Sequence, residues 1–328
     1  MAPSGESGET SAQLVTAGLP LEGVVVLDLG QVYQGPYAGF LLAMAGARVI
    51  KVEPPGGETL RARGASLPFA MLNSSKETVT LDLKHRDGVA TFGRLAAVAD
   101  VVLVNFAPGV PERLGIGYAD LRAVNPRLIF AHGCGFGLDG DGTSAPAMDI
   151  TVQAHAGVMS VNGFPDHPPV KAGVAFVDFL GGAHLYGAIT AALYERERTG
   201  VGRLVEVAMI DVAYMTLASH LASWHQLGEV RRTGNKHAAL GMAPYDVYPC
   251  ADGHVALIAV TDRHWRSVLE VIGRPDLLHD ERYLRHGSRA KRIRGGRPGD
   301  RVAGPAHKRR GSGRAPGGPR AGGCGAVG

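Results

Sequence analysis

Cysteine is scarce in this 328-residue chain, and the three present, Cys134, Cys250 and Cys324, are far apart and odd in number. A disulfide framework and a CxxC-type zinc site are both excluded by that spacing, so no metal is expected. Long apolar runs are lacking too: nothing approaches the roughly 20 uninterrupted apolar residues of a bilayer span. The opening MAPSGESGETSAQLVTAG has neither the basic start nor the apolar centre of a secretory signal. A cytoplasmic protein with no membrane partner is the expectation, with a flexible leader over residues 1–18. The last 44 residues, 285–328, contain no Phe, Tyr, Trp or Leu, and one acid, Asp300, against 12 Lys and Arg. Such a segment cannot bury enough apolar surface to offset its ordering entropy, and it reads as a basic Gly/Arg/Pro-rich disordered tail. Its net charge of +11, subtracted from the chain's +4, leaves −7 for residues 1–284. The basic pI therefore belongs to the tail, which also lacks aromatics for stacking bases, and nucleic acid is not an expected partner.

What remains reads as an α/β protein. GVVVLDLG (23–30) is a β-branched run ending in Gly, GPYAGFLLAMAGA supplies a helix with Pro36 near its first turn and Gly46 as its stop, and RVIKVEPP is a second strand closed by prolines. Strand, helix and strand within about 30 residues make a βαβ unit with a parallel pair. It has the outline of a dinucleotide site, down to Glu53 at the end of the second strand. The phosphate loop is missing, however: GQVYQGPYAG contains no G-x-G-x-x-G, and Tyr33 stands where a pyrophosphate needs bare backbone. Further strands fit 77–83, 100–106 and 127–133, with an amphipathic helix in HRDGVATFGRLAAVA. The alternation predicts a mostly parallel, Rossmann-like sheet flanked by helices over 19–225. A smaller α+β domain follows over 226–284, with a hairpin around residues 251–253 and a helix from about Asp262.

Polar residues collect at the predicted carboxyl ends of strands, where ligands bind in such sheets. Asn105 closes one strand, Arg113 follows it, and Lys76 and Lys51 add charges; singly, each is also what a solvated surface offers. GVAFVDFLGGAHLYGAIT (173–190) sets one carboxylate, Asp178, in an apolar stretch before two glycines. Read alone, Asp178 is an N-cap for a helix from about Leu180 to Arg198.

Several stretches together resemble class III coenzyme A transferases: LDLGQVYQGPYAGFLLAMAGARVIKVEPPGGE, LNSSKETVTLDLK, ADVVLVNFAPGVPERLGIGY, NPRLIFAHGCGFG, MDITVQAHAGVMSVNG and RERTGVGRLVEVAMIDV, in that order. The similarity runs from about Pro20 to Tyr283, and the chain resembles members of this family lacking their usual C-terminal segment. It implies that Asp178 is the nucleophile, and that Val32, Tyr33, Gln34, Lys76, Asn105 and Arg113 line a coenzyme A site. It also implies acyl-CoA and a small carboxylic acid as substrates, no tightly bound cofactor, a homodimer, and a loop over 234–241 near the site. Glycine N–H groups near Asp178 are expected to hold a developing oxyanion. Two departures stand out: Pro54 replaces a basic coenzyme A contact, and Cys134 replaces a Lys or Ser. The rival within the family is α-methylacyl-CoA racemase, where a His precedes the acid aligned with Asp149; here that residue is Met148, whose thioether cannot accept a proton, leaving His155 and His132 as substitutes. An inactive truncated member is the other alternative.

Overall fold

The computed structural model of the chain describes residues 18–250 and 252–294. Two compact units divide it: residues up to Ala156 with Ala172–Met215 form one, and Gly157–Lys171 with the residues from Thr216 onward form the other. The expected boundary at residue 225 thus lies inside the second unit. The first unit ends with the short helix that follows its last strand, and the chain's excursion at 157–171 leaves it and returns.

The first unit alternates strands and helices as its sequence predicts. In chain order it contains β1 (Val25–Asp28), α1 (Gln34–Met44), β2 (Arg48–Glu53), α2 (Thr59–Ala62), α3 (Ser66–Asn73), β3 (Glu77–Thr80) and α4 (Arg86–Ala96). It continues with β4 (Val101–Val104), α5 (Val110–Arg113), α6 (Tyr118–Val124), β5 (Ile129–Cys134) and α7 (Asp149–His155). After the excursion, which carries the short α8 (Val158–Val161), come α9 (Phe176–Thr199), β6 (Leu204–Ala208) and α10 (Met209–Met215). The six strands form one sheet in the order β3-β2-β1-β4-β5-β6. Every neighbouring pair is parallel, with Val26 opposite Val101 at the centre.

Both faces of this sheet are covered, which is why its central strands read as unbroken apolar runs. Successive β4 side chains go to opposite faces. Val101 and Leu103 pack with Leu42 of α1 and Leu185 and Ile189 of α9. Val102 and Val104 pack with Phe92 of α4 and Leu121 of α6. Helix α9 is the one helix among the described residues that is long and apolar enough to cross a membrane. The sequence expectation missed it by counting only uninterrupted runs. Here Leu185, Ile189 and Leu193 are core residues, so its apolar character is spent on the sheet. Gly200, at φ 73°, takes the left-handed position that ends it.

The second unit adds α11 (Ala218–Leu227), an antiparallel hairpin of β7 (Tyr245–Cys250) and β8 (Gly253–Ile258), α12 (Asp262–Val271), a 3-10 turn at Pro275–Leu278 and α13 (His286–Arg294). Trp265 and Leu269 of α12 bury against Ala259, Leu277 and Tyr283. Helix α13 corrects the expectation that chain order stops at residue 285. Arg289 is fully buried, its guanidinium 5.1 Å over the Trp265 ring and donating to the carbonyls of Ala243 and Tyr283, so the fold continues at least one helix further. Residues 295–328 of the expected tail, residues 1–17 of the expected leader, and Ala251 lie outside the described residues.

Candidate active site

In a parallel sheet of this order the connections diverge between β1 and β4, and the crevice outside the carboxyl ends of those strands is the natural ligand site. The loop after β1 runs along it. Asn105, just past β4, spans the divergence: its side-chain oxygen accepts the Gln31 N–H at 2.7 Å, and its amide donates to the Gln31 carbonyl at 2.9 Å. The next residue, Val32, has φ 62°, a left-handed backbone that a β-branched side chain disfavours. Its N–H donates to Glu58 Oε1 at 2.7 Å. Tyr33 then opens α1, and its ring stacks on Phe179 at 5.8 Å between centroids, while Tyr37 meets Phe179 edge-on at 5.0 Å.

Phe179 carries this contact to the first turn of α9. That helix begins at Phe176, four residues before the expected start, because Ala175 and not Asp178 is its N-cap. Ala175 has no side chain for the task, and a carboxylate from α7 supplies it. Asp149 Oδ2 accepts the N–H groups of Val177 at 2.9 Å and Asp178 at 3.3 Å. Asp149 is itself held by the Gln153 amide, whose oxygen accepts the Ala172 N–H at 2.8 Å where the chain re-enters the unit. Two free N–H groups at the start of α9 are therefore taken by Asp149, and Asp178, third in the helix, does not act as its cap. Among the described residues its carboxylate accepts no hydrogen bond. Burial, with the Asp149 charge adding to it, pushes the Asp178 carboxyl up to about 7. The capping role is thus corrected, and the sequence signal that would have found Asp149 is an acid opening a helix, in MDITVQA.

The two glycines after Asp178 have a packing reason. A Cβ on Gly182 would sit 2.6 Å from the Gln34 carbonyl oxygen, and one on Gly181 would sit 2.9 Å from Gln34 Nε2. They let α9 cross α1 closely, and both lie beyond the first helical turn, where N–H groups belong to the helix ladder. Gly181 and Gly182 do not provide the expected oxyanion donors.

The six residues expected to line a coenzyme A site divide by environment. Val32 and Tyr33 are half-buried on the β1 loop, and Arg113 ends α5 exposed, with no ion pair among the described residues. Asn105 is engaged by the loop. Gln34 is buried between α1, β5 and α9, its amide 3.4 Å from the Val207 carbonyl. Lys76 is the clear correction. Its Nζ is buried and donates to Asp28 at 2.7 Å, the Pro36 carbonyl at 2.8 Å and Asn73 at 2.9 Å, so its three protons are already placed. Lys51, also buried, donates to the Gly30 carbonyl and lies 3.7 Å from Asp28. Burial alone would raise the Asp28 carboxyl, but the two ammonium groups and the Gly30 N–H hold it below its ordinary value. Lys76, sharing that one carboxylate, is drawn down by burial. The pair forms a charged foundation under the loop instead of reaching for a ligand.

The remaining expectations resolve locally. Glu53 is clamped by Arg61 at 2.9 and 3.0 Å and accepts the Glu58 N–H, so its oxygens are not directed at a ribose. His132 is buried in β5 with Nε2 2.8 Å from the Phe106 carbonyl, and desolvation lowers its pKa. His155 has Nδ1 2.8 Å from the Thr151 carbonyl and meets the Phe136 ring edge-on. Cys134 is buried, and desolvation pushes its thiol up to about 12. Among the described residues no cluster of His, Cys, Asp or Glu could hold a metal ion.

Comparison with known proteins agrees with this architecture. The sequence model described as CoA-transferase family III matches residues 21–300. Acetyl-CoA:oxalate CoA-transferase of Acetobacter aceti is 39% identical over 278 residues, covering 82% of this chain and 71% of that protein. A probable fatty acyl-CoA transferase of Mycobacterium tuberculosis is 39% identical over 288 residues, covering 83% and 73%. The crystal structure of a CAIB/BAIF family protein from Brucella suis superposes with TM-score 0.75 at 32% identity, covering 85% of this chain and 76% of that one. With the fold, the ordered motifs and these matches in agreement, the chain belongs to CoA-transferase family III.

Proposed function

We propose that this enzyme moves coenzyme A from an acyl-CoA thioester to a free carboxylic acid, with Asp178 as the nucleophile. One observation carries the reading: at the start of α9, Asp149 takes the helix N–H groups and leaves Asp178 half-buried, without a hydrogen-bond partner and poorly solvated. A carboxylate stabilised by neither water nor donors is more basic and more nucleophilic than one in solution, and the thiolate that leaves the thioester, with a thiol pKa near ~8.5, departs easily.

The cycle conserves bonds at each step. An Asp178 oxygen attacks the donor thioester carbon, the C–S bond breaks, and coenzyme A leaves as a thiolate from a mixed anhydride. The thiolate attacks the aspartyl carbonyl, releasing the donor acid and leaving an aspartyl-CoA thioester. The acceptor carboxylate attacks that carbon, expelling the thiolate and forming a second anhydride. The thiolate then takes the acceptor acyl group, and Asp178 is returned as a carboxylate. Thioester is exchanged for thioester, so no net bond energy is required. On this reading the exposed Arg113 guanidinium meets a coenzyme A phosphate as a bidentate donor, and Val32 and Tyr33 border the pantetheine.

Oxalate in one relative's name and fatty acyl in another's point to a carboxylic acid acceptor of open size. Epimerisation is the weaker reading, since it needs a second acid or base beside Asp178. Met148 opens α7 exposed, and both candidate histidines are engaged with backbone carbonyls. The proposal extends to a cytoplasmic homodimer, which sedimentation and fractionation would check.

The test is a mass-spectrometric screen of the purified protein with mixed acyl-CoAs and organic acids, quenched with hydroxylamine. Exchange of acyl groups and a hydroxamate at residue 178 are expected, and both should vanish in Asp178→Ala. Exchange at the parent rate in that variant would end the proposal. Deuterium uptake at the α-carbon with no acceptor present would select epimerisation instead.

A further inference from the structure

The loop that carries Val32 and Tyr33 holds a conformation its own sequence disfavours. A valine at φ 62° is a strained residue, and such strain persists only where the surroundings impose it. The imposing group is a buried carboxylate on the next crossover. Glu58 is 2% exposed; one of its oxygens accepts the Val32 N–H at 2.7 Å, and the other accepts the Leu60 N–H at 2.8 Å as the N-cap of α2. Its neighbour Thr59 donates its hydroxyl to Gln31 Oε1 at 2.8 Å, so two consecutive residues grip two consecutive loop residues. Glu58 is fixed in turn. Its N–H donates to Glu53, which is clamped by Arg61, whose guanidinium lies 4.0 Å over the Phe69 ring.

We infer that Glu58 is a positioning residue for the coenzyme A site: it holds Val32 in its left-handed conformation and thereby sets the Tyr33 ring on Phe179, one residue from Asp178. Released from Glu58, Val32 relaxes toward ordinary backbone angles and Tyr33 turns off Phe179. The site then exists as a mixture of loop states, and coenzyme A must select the productive one, weakening its apparent affinity by the fraction lost. The inference rests on the coenzyme A reading above, but the loop behaviour it requires does not need a ligand.

Glu58 also caps α2, and substitutions can separate that role from its reach to Val32. Serine is a good N-cap for the Leu60 N–H but too short to reach Val32. Glu58→Ser is therefore expected to keep α2 capped and the protein folded, with a urea midpoint lowered only by the loss of the Val32 hydrogen bond. It should nevertheless show faster amide hydrogen exchange in the peptide spanning 31–36, with exchange in β4 and β5 unchanged. Titrated with coenzyme A itself, it should bind about tenfold or more weakly, the consequence of losing one charge-assisted hydrogen bond. Val32→Gly removes the strain, so adding Glu58→Ser to that background should cost a smaller factor than it does in the parent. Parent-like exchange over 31–36 together with parent-like coenzyme A affinity in Glu58→Ser would overturn the inference while leaving the proposed activity intact. Equal losses in the two backgrounds would also overturn it. A parent protein that binds no coenzyme A would overturn the site assignment itself, and this inference with it.

Discussion

Replacing Asp178 by Asn should make the protein more stable above neutral pH while destroying its activity. The folded carboxyl stands at about 7, against 3.8 for a carboxyl free in the chain. A group whose folded pKa is raised holds its proton longer in the native state, so stability is full below the unfolded value and falls as pH rises through the folded one. At about 1.4 kcal/mol per unit, the rise from pH 5 to the folded midpoint corresponds to about 3 kcal/mol, and partial solvent access at the helix end reduces that to about 2 kcal/mol. The helix N-terminus works in the opposite direction, favouring a negative charge by roughly 0.3–1 kcal/mol, which is too small to reverse the sign. Asparagine keeps the shape and carries no charge to desolvate. Paired urea unfolding of parent and Asp178→Asn at pH 5 and pH 8.5 should therefore show the variant's advantage growing by about 2 kcal/mol across that interval. An advantage that does not change with pH, or a variant less stable than the parent at pH 8.5, would refute the claim that this acid is held in a poorly solvated place.

The Asp149 charge raises the Asp178 pKa as the lesser cause after burial, so Asp149→Asn, which keeps an oxygen for the Val177 N–H, should move the acid limb of kcat/KM from near 7 to lower pH; an unmoved midpoint in a full pH profile would deny the coupling. Arg113→Ala should weaken coenzyme A binding by tenfold or more with little effect on unfolding, whereas Lys76→Ala should cost about 3 kcal/mol of stability by leaving Asp28 short of a partner; calorimetric titration and urea unfolding of both variants separate a ligand contact from a foundation. Gly182→Ala should destabilise by roughly 1–3 kcal/mol, because its new methyl would lie 2.6 Å from the Gln34 backbone carbonyl oxygen and also crowd the Tyr37 side chain; a neutral result would show that α1 and α9 are free to separate.

The sequence made the sheet legible because its central strands are short apolar runs closed by polar or turn residues, and the strands expected at 23–30, 48–55, 77–83, 100–106 and 127–133 all fall in one parallel sheet. The nucleophile candidate was visible as a lone acid in apolar surroundings, but the reason for its isolation was not. Asp149 and Asp178 are 29 residues apart, and only the re-entry of the chain at Ala172, fixed by Gln153, brings the one onto the helix end of the other. Lys76 failed for a related reason. A lysine after a helix and before a strand reads as surface charge, and nothing local shows that Asp28, 48 residues earlier, will draw it inside. The expected boundary at residue 225 fell late because α11, apolar enough to continue the first unit, groups with the second.

The misses at the site have a common form: paired side chains were taken for ligand contacts, and Asp178, left without a partner, read locally as a helix cap although the family resemblance made it the nucleophile. Free donors and acceptors at the carboxyl ends of the strands are limited in number, and the fold uses most of them. Asn105 binds Gln31, Glu58 binds Val32, and Lys76 binds Asp28. Asp149 satisfies the start of α9. A group that ends this process half-buried and without a partner is costly to keep unless something outside the chain engages it. Asp178 meets that condition, and on the proposed reading it offers a nucleophilic oxygen, while Arg113, exposed and without an ion pair among the described residues, offers a cation. An acyl-CoA has an electrophilic carbonyl at one end and phosphates at the other, and it is the kind of molecule that requires both.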